Sequence, residues 1–184
     1  MARTKIVILR LFHRKSRDKR VTTHCMLVGR AFGCNGMYYS GEEDLQLHYT
    51  LDKVSKNWGG NFFLQYVSDP KELVTMWKKK NGKVVHLTMY GINIIKVEEI
   101  LKKLYLRKDL MIIIGGSKVP LDFYKIADLN IAIGHQPHSE IAALALFLDR
   151  IYSGKELELE FSGAKFKIVE QSHSKKVTKV TESY

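Results

Sequence analysis

The chain has 184 residues, 45% hydrophobic and 27% charged. That is a globular composition with material for a core, and it excludes a disordered, collagen-like or disulfide-framework chain. Thirty Lys and Arg against nineteen Asp and Glu leave a formal charge of +11, an excess that points to a polyanionic partner and away from an enzyme of small neutral metabolites.

The first thirty residues hold nine basic side chains and one acid, a net +8. They do not read as a secretion signal. The apolar run Ile6–Leu9 is too short for one, and Arg14-Lys15-Ser16-Arg17-Asp18-Lys19-Arg20 stands where the apolar segment would follow. No stretch approaches the roughly 18 apolar residues of a membrane helix, so a soluble, cytoplasmic protein is expected. Lys5–Leu11 reads as a first strand. Val21-Thr22-Thr23-His24 reads as a helix start with hydroxyl caps. Cys25 and Cys34 form no CxxC and are expected as buried free thiols. The histidines show no ligand spacing, so no metal is expected.

Further short runs of β-branched and aromatic residues follow at Met37–Ser40, Asn61–Val67, Val84–Thr88, Leu110–Ile114 and Leu129–Ile133. Between them, Leu47, Leu51, Val54 and Trp58 define one helix face, and Val97, Ile100, Leu101 and Leu104 another. Pro70 and Pro120 stand where helices can begin. Strands alternating with helices predict an α/β domain with a mostly parallel sheet flanked by helices, and Met111–Ile114 is the expected central strand. Ile141–Leu148 is apolar on every side and must be covered all round, within this chain or against a second subunit. Glu156–Phe161 and Lys165–Val169 read as short strands before a polar tail. With no linker and no repeat, residues 1–184 are expected to form one domain with a short C-terminal extension from about 155.

Three glycine-containing turns follow predicted strands: Thr88-Met89-Tyr90-Gly91, Gly115-Gly116-Ser117-Lys118-Val119-Pro120, and Gly134-His135-Gln136-Pro137-His138-Ser139-Glu140. Ligands collect at the carboxyl ends of parallel strands, and glycine allows close backbone approach. Any one turn alone is an ordinary strand-to-helix connection; together they suggest a cofactor cleft. None matches GxGxxG or GxxxxGK[ST], which leaves dinucleotide and P-loop readings without a motif. Ser139 or His138 is placed to cap the apolar helix. In the N-terminal arm, Arg10, Arg14, Arg17 and Lys19 are candidates to hold RNA phosphate and ribose, through charge and shape rather than base edges.

Taken in order, several blocks carry a resemblance: Leu9-Arg10-Leu11-x-His13-Arg14, Arg17-Asp18-Lys19-Arg20-x-Thr22-Thr23-His24, Arg30-Ala31-Phe32-Gly33, Trp58-Gly59-Gly60, Val85-His86-Leu87-Thr88-Met89-Tyr90-Gly91, Lys118-Val119-Pro120 and Gln136-Pro137-His138-Ser139-Glu140. The set resembles the archaeal tRNA cytidine-56 2′-O-methyltransferases, a branch of the SpoU–TrmD (SPOUT) superfamily, over nearly the whole chain. The resemblance implies a SPOUT fold with a C-terminal deep trefoil knot, a homodimer, tRNA as substrate and S-adenosylmethionine as cofactor. It implies a cofactor site from Leu87, Gly115, Gly116, Ser117, Lys118, Val119, Ile133, Gly134, His135, Gln136, Pro137, His138, Ser139 and Glu140, with Leu144 packed near it. Four positions depart from the family pattern. Glycine is expected at Phe12, alanine at Gly116, glutamate at Ser117 and asparagine at His135. For catalysis the resemblance points to Arg20, with His24 as a competing general base. A non-catalytic RNA-binding α/β module, or methylation at another RNA site, is the alternative.

Overall fold

A computed structural model describes residues 4–116 and 118–180; Ser117, expected at the cofactor, lies outside the described residues. Among them, six strands form one parallel sheet: β1 (Ile6–His13), β2 (Gly36–Gly41), β3 (Phe63–Tyr66), β4 (Lys83–Asn93), β5 (Leu110–Gly115) and β6 (Leu129–Ala132). Their order is β3-β2-β1-β5-β4-β6, which puts β1 and β5 at the centre. Helices α1 (Lys19–Ala31), α2 (Leu45–Trp58), α3 (Pro70–Lys79), α4 (Glu98–Tyr105), α5 (Leu121–Ile126) and α6 (Glu140–Tyr152) lie between and after the strands.

The period of two along the strands divides the core. Ile6 and Ile8 of β1, with Leu110, Ile112 and Ile114 of β5, face α1, α4 and α6. Val7, Leu9, Leu11, Met111 and Ile113 face α3 and α5. Both faces are covered, as a parallel sheet requires. Asp44 and Asp69 cap α2 and α3 through their carboxylates, and Pro70 opens α3. Both cysteines are free and buried.

Four expectations are corrected. Glu156–Phe161 is not a strand: Ser153 and Gly154 adopt left-handed conformations and start a 3-10 turn, Lys155–Glu158. Its Glu-Leu-Glu-Leu alternation imitates a strand, but a strand also needs a neighbour to pair with. The polar tail is not featureless, since β7 (Phe166–Val169) pairs antiparallel with β8 (Lys176–Lys179). Ile100 is 59% exposed, so only part of the α4 stripe is buried. Helix α1 starts at Lys19 rather than at Val21, and no hydroxyl caps it: Thr22 Oγ1 lies 2.9 Å from His13 Nδ1, and Thr23 Oγ1 donates to the Lys19 carbonyl. On α6, Leu144, Phe147 and Leu148 are buried by this chain, while Leu146 is 49% exposed and is left for a second subunit to cover. No helix of the described residues is long and apolar enough to cross a membrane.

Candidate cofactor cavity and basic arm

The three glycine-containing segments meet. Leu87–Tyr90, then Gly115, Gly116, Lys118 and Val119, then Ile133, Gly134 and Gln136–Glu140 line one cavity of about 660 Å³ at the carboxyl edge of the sheet. Its size is that of a small-molecule site. Gly134 has φ +74° and open space where a side chain would stand, so it is both a conformational requirement and an opening. Ser139 caps α6, accepting from Ile141 N–H at 3.0 Å.

Gly91 has a different role from the one expected. It belongs to β4, whose register breaks between Leu87 and Ile92, and a Cβ there would come within 2.5 Å of the Asn130–Ile131 backbone. It permits close packing of β4 on β6 rather than approach of a ligand. His135 does not line the cavity: its Nδ1–H donates to the Met89 carbonyl at 2.9 Å and ties the third segment to the first. Leu144 is fully buried in the core, and Ala143, one residue earlier, meets the cavity instead. His138 donates Nε2–H to the Ile133 carbonyl at 2.6 Å, closing the third loop on itself.

Sequence reasoning missed the cavity residues His86 and Tyr124. His86 lies opposite Asn130 in the β4–β6 register, and its Nδ1–H donates to Asn130 Oδ1 at 3.0 Å. Asn130 Nδ2–H in turn donates to the Tyr124 carbonyl at 2.9 Å. The imidazole meets the Tyr124 ring edge-on, with centroids 4.6 Å apart. Burial lowers the His86 pKa, against the opposing pull of the Asn130 bond, and so favours neutral imidazole. The His86 signal was in the quoted block, but only strand pairing shows its partner.

The basic arm leaves β1 through Phe12, which stands at φ 55° where the family pattern leads to glycine. A left-handed bulky residue costs about 1–2 kcal/mol. The conformation is held by a bond from Phe12 N–H to Ser40 Oγ (3.2 Å) and by an edge-on contact with Phe123 at 6.0 Å. Beyond the kink His13 is fully buried, with Nδ1 at 2.9 Å from Thr22 Oγ1 and Nε2 at 3.4 Å from Asp44 Oδ2. His13 thereby joins the end of β1 to α1 and to the cap of α2. Arg14, Arg17, Lys19, Arg20 and His24 are exposed, and none of them lines the cavity. Arg14 pairs with Asp18 at 3.0 Å. Burial pushes the Asp18 carboxyl up, but the bond and charge of Arg14 and the charge of Arg10 outweigh it and leave its pKa low.

Arg10 is corrected as an RNA contact. Its side chain is 1% exposed and faces α1 and α6, 3.6 Å from Glu140. A group sealed from water cannot reach a phosphate.

This geometry belongs with a known group. A family model described as tRNA ribose 2′-O-methyltransferase, aTrm56, matches residues 58–178. The chain belongs to the aTrm56 family of tRNA ribose 2′-O-methyltransferases. A tRNA (cytidine(56)-2′-O)-methyltransferase of Staphylothermus marinus is 49% identical over 97% of this chain and 95% of its own. One of the same name from Methanopyrus kandleri is 45% identical over 96% and 97%. Among solved structures, the TrmH/SpoU tRNA-modifying enzyme of A. aeolicus superposes with TM-score 0.59 at 14% identity, covering 85% of this chain and 77% of that one. The SpoU methyltransferase AviRb of Streptomyces viridochromogenes, in complex with AdoMet, gives 0.60 at 11% identity, over 83% of this chain and 58% of that one. These two likenesses speak for the fold: the aTrm56-family chain has the α/β architecture of SpoU and TrmH methyltransferases.

Proposed function

We propose that this enzyme transfers a methyl group from S-adenosylmethionine to the ribose 2′-oxygen of cytidine 56 in tRNA. The observation that carries the reading is the meeting of the Leu87–Tyr90 segment of β4 with the loops after β5 and β6 in one cavity, in a chain about half identical to enzymes named for that reaction. The cavity suits the cofactor chemically. Leu87, Ile114, Val119 and Ile133 offer apolar walls for an adenine ring, the loop backbones offer donors and acceptors, and the Glu140 carboxylate offers a countercharge to a cationic sulfur or amine.

When bound, S-adenosylmethionine supplies a methyl group already activated by positive sulfur. The protein's part is alignment and disposal of the hydroxyl proton. Arg20 stabilises the developing alkoxide and holds the neighbouring phosphate. A guanidinium stays protonated, so the proton leaves to phosphate or water. Arg14, Arg17 and Lys19 present the exposed charge that attracts the tRNA backbone. His24 is the competing base; turnover that follows a histidine pKa and vanishes in His24→Ala favours it.

The enzyme works in the cytoplasm as a homodimer of single-domain subunits, each with its C-terminal part threaded as a trefoil knot. Likeness to SpoU enzymes supports the threading. Exposed Leu146, Tyr90, Ile92 and Ile95 support the dimer, since apolar groups of this kind are buried by association. The test is calorimetry with S-adenosylmethionine, followed by mass analysis of tRNA incubated with labelled cofactor. No binding at millimolar cofactor defeats the enzyme reading, and a label on a base or another ribose defeats the site.

A further inference from the structure

We propose that Arg10 is a positioning residue for methyl transfer: its buried guanidinium holds Glu140, and so fixes the α6 wall of the cavity to the strand from which the catalytic arm departs. The proposal rests on the methyltransferase reading and adds to it a residue with no contact to either substrate.

Arg10 is 1% exposed, and its Nε and Nη1 are buried with no hydrogen-bond partner among the described residues. Arginine has five donors in a rigid fork and is seldom buried without using them. Glu140 pairs with it, Nη2 lying 3.6 Å from Oε1, and Glu140 both opens α6 and lines the cavity. The guanidinium also lies just behind the second segment: a Cβ on Gly116 would be 3.7 Å from Nη2 and 3.7 Å from Glu140 Oε1. Gly116 therefore stands between the buried guanidinium and the cavity, while Glu140 reaches from the guanidinium to the cavity wall.

Arg10 faces the α1 side as well. Its charge acts on Asp18, at the start of α1, and on the Cys25 thiol, which burial raises to about 12 against the opposing effect of Arg10. Three residues further along β1, His13 fixes the same helix through Thr22, two residues from Arg20. One strand thus grips the cofactor wall with Arg10 and the catalytic helix with His13. A guanidinium on one element beside a carboxylate on another sets the distance between them, and a largely buried ion pair is weak evidence for stability alone.

The test is a cycle of Arg10→Gln, Glu140→Gln and the double variant, read by turnover, cofactor affinity, tRNA affinity against salt, and melting temperature. Glu140→Gln leaves a buried cation unpaired, whereas the double variant removes both charges. The double variant is therefore expected to turn over about tenfold faster than Glu140→Gln, though below wild type. Multiplicative single effects would overturn the coupling. The salt slope of tRNA binding is expected to be unchanged in Arg10→Gln; a slope smaller by about one would make Arg10 a phosphate contact and overturn the positioning role. If Arg10→Gln does not fold, Arg10→Lys keeps the charge and loses the fork. It is expected to melt near wild type with turnover at least about tenfold down and tRNA KM unchanged; full activity would overturn the proposal. A wild type inactive on tRNA would defeat the methyltransferase reading, while the melting cycle still decides whether the pair is coupled.

Discussion

The cavity and the basic arm both follow parallel strands, yet their side chains stand in opposite surroundings. The cavity is a preformed hollow with internal ties: His135 joins the third segment to Met89, His138 closes the third loop on Ile133, and His86 reaches through Asn130 of β6 to Tyr124 of α5. The arm presents Arg17, Lys19 and Arg20 to solvent, and beneath it His13 is sealed from water. A small uncharged ring needs shape, which must exist before it arrives. A polyanion needs charge, which acts across water and tolerates loose side chains. Under the proposed function, the difference lets one strand edge take two ligands without competition between them.

If that division holds, variants of each region should leave the other's ligand alone. The largest expected effect is Arg20→Ala, with turnover down about 10²–10³-fold, as for loss of a transition-state donor. Its calorimetric affinity for S-adenosylmethionine should stay within threefold of wild type, roughly 0.7 kcal/mol. Near-normal turnover would take catalysis away from the arm. Next, Arg14→Gln with Arg17→Gln should weaken tRNA binding and flatten its salt dependence by about one to two units of slope, for one or two lost phosphate contacts. A change in cofactor affinity there would blur the comparison.

On the cavity side, Gly134→Ala puts a side chain at positive φ, at a cost of about 1–2 kcal/mol. Cofactor binding should weaken by about five- to thirtyfold, while tRNA affinity without cofactor is unchanged. The His86 network gives a pH signature. The folded imidazole resists protonation, so the unfolded chain takes up a proton first. Stability from this group is complete above about pH 6.5 and falls as pH drops below it. Melting curves across pH 7.5 to 5.5 should show a slope in wild type that is reduced in His86→Gln. The smallest effect lies outside both regions. Glu156 is buried; burial raises its pKa, and Asp149 adds to the rise. A raised carboxyl loses stability as pH climbs through its folded pKa, so Glu156→Gln should melt about 2 °C higher at pH 7.

Much of the architecture was legible along the chain. β-branched runs bounded by turn residues located the six strands of the sheet, because a strand covered on both faces has no polar side to hide it. The glycine turns marked the cavity, because a chain leaving a parallel strand at a ligand needs room for its backbone. Ser139 and Pro70 announced helix starts, the one through a local capping bond and the other through its fixed backbone angle. The blocks Val85–Gly91 and Gln136–Glu140 were specific enough to indicate the family.

Other features depend on groups far apart in sequence. Arg10 read as one basic residue among several until β1 pairing turned it inward against Glu140, 130 positions away. His86 and Asn130 become partners only in the β4–β6 register, and Gly91 gains its packing role in the same way. Glu156–Phe161 had the alternation of a strand and lacked a neighbour. Phe12 in a left-handed conformation needs Ser40 and Phe123 to hold it. Local propensity and charge are written residue by residue, so the sequence by itself determined the elements, the turns and the basic arm. Burial, register and ion pairing are properties of pairs, and the tertiary structure alone decided which cations stand in solvent and which one is locked against Glu140 beside the cavity.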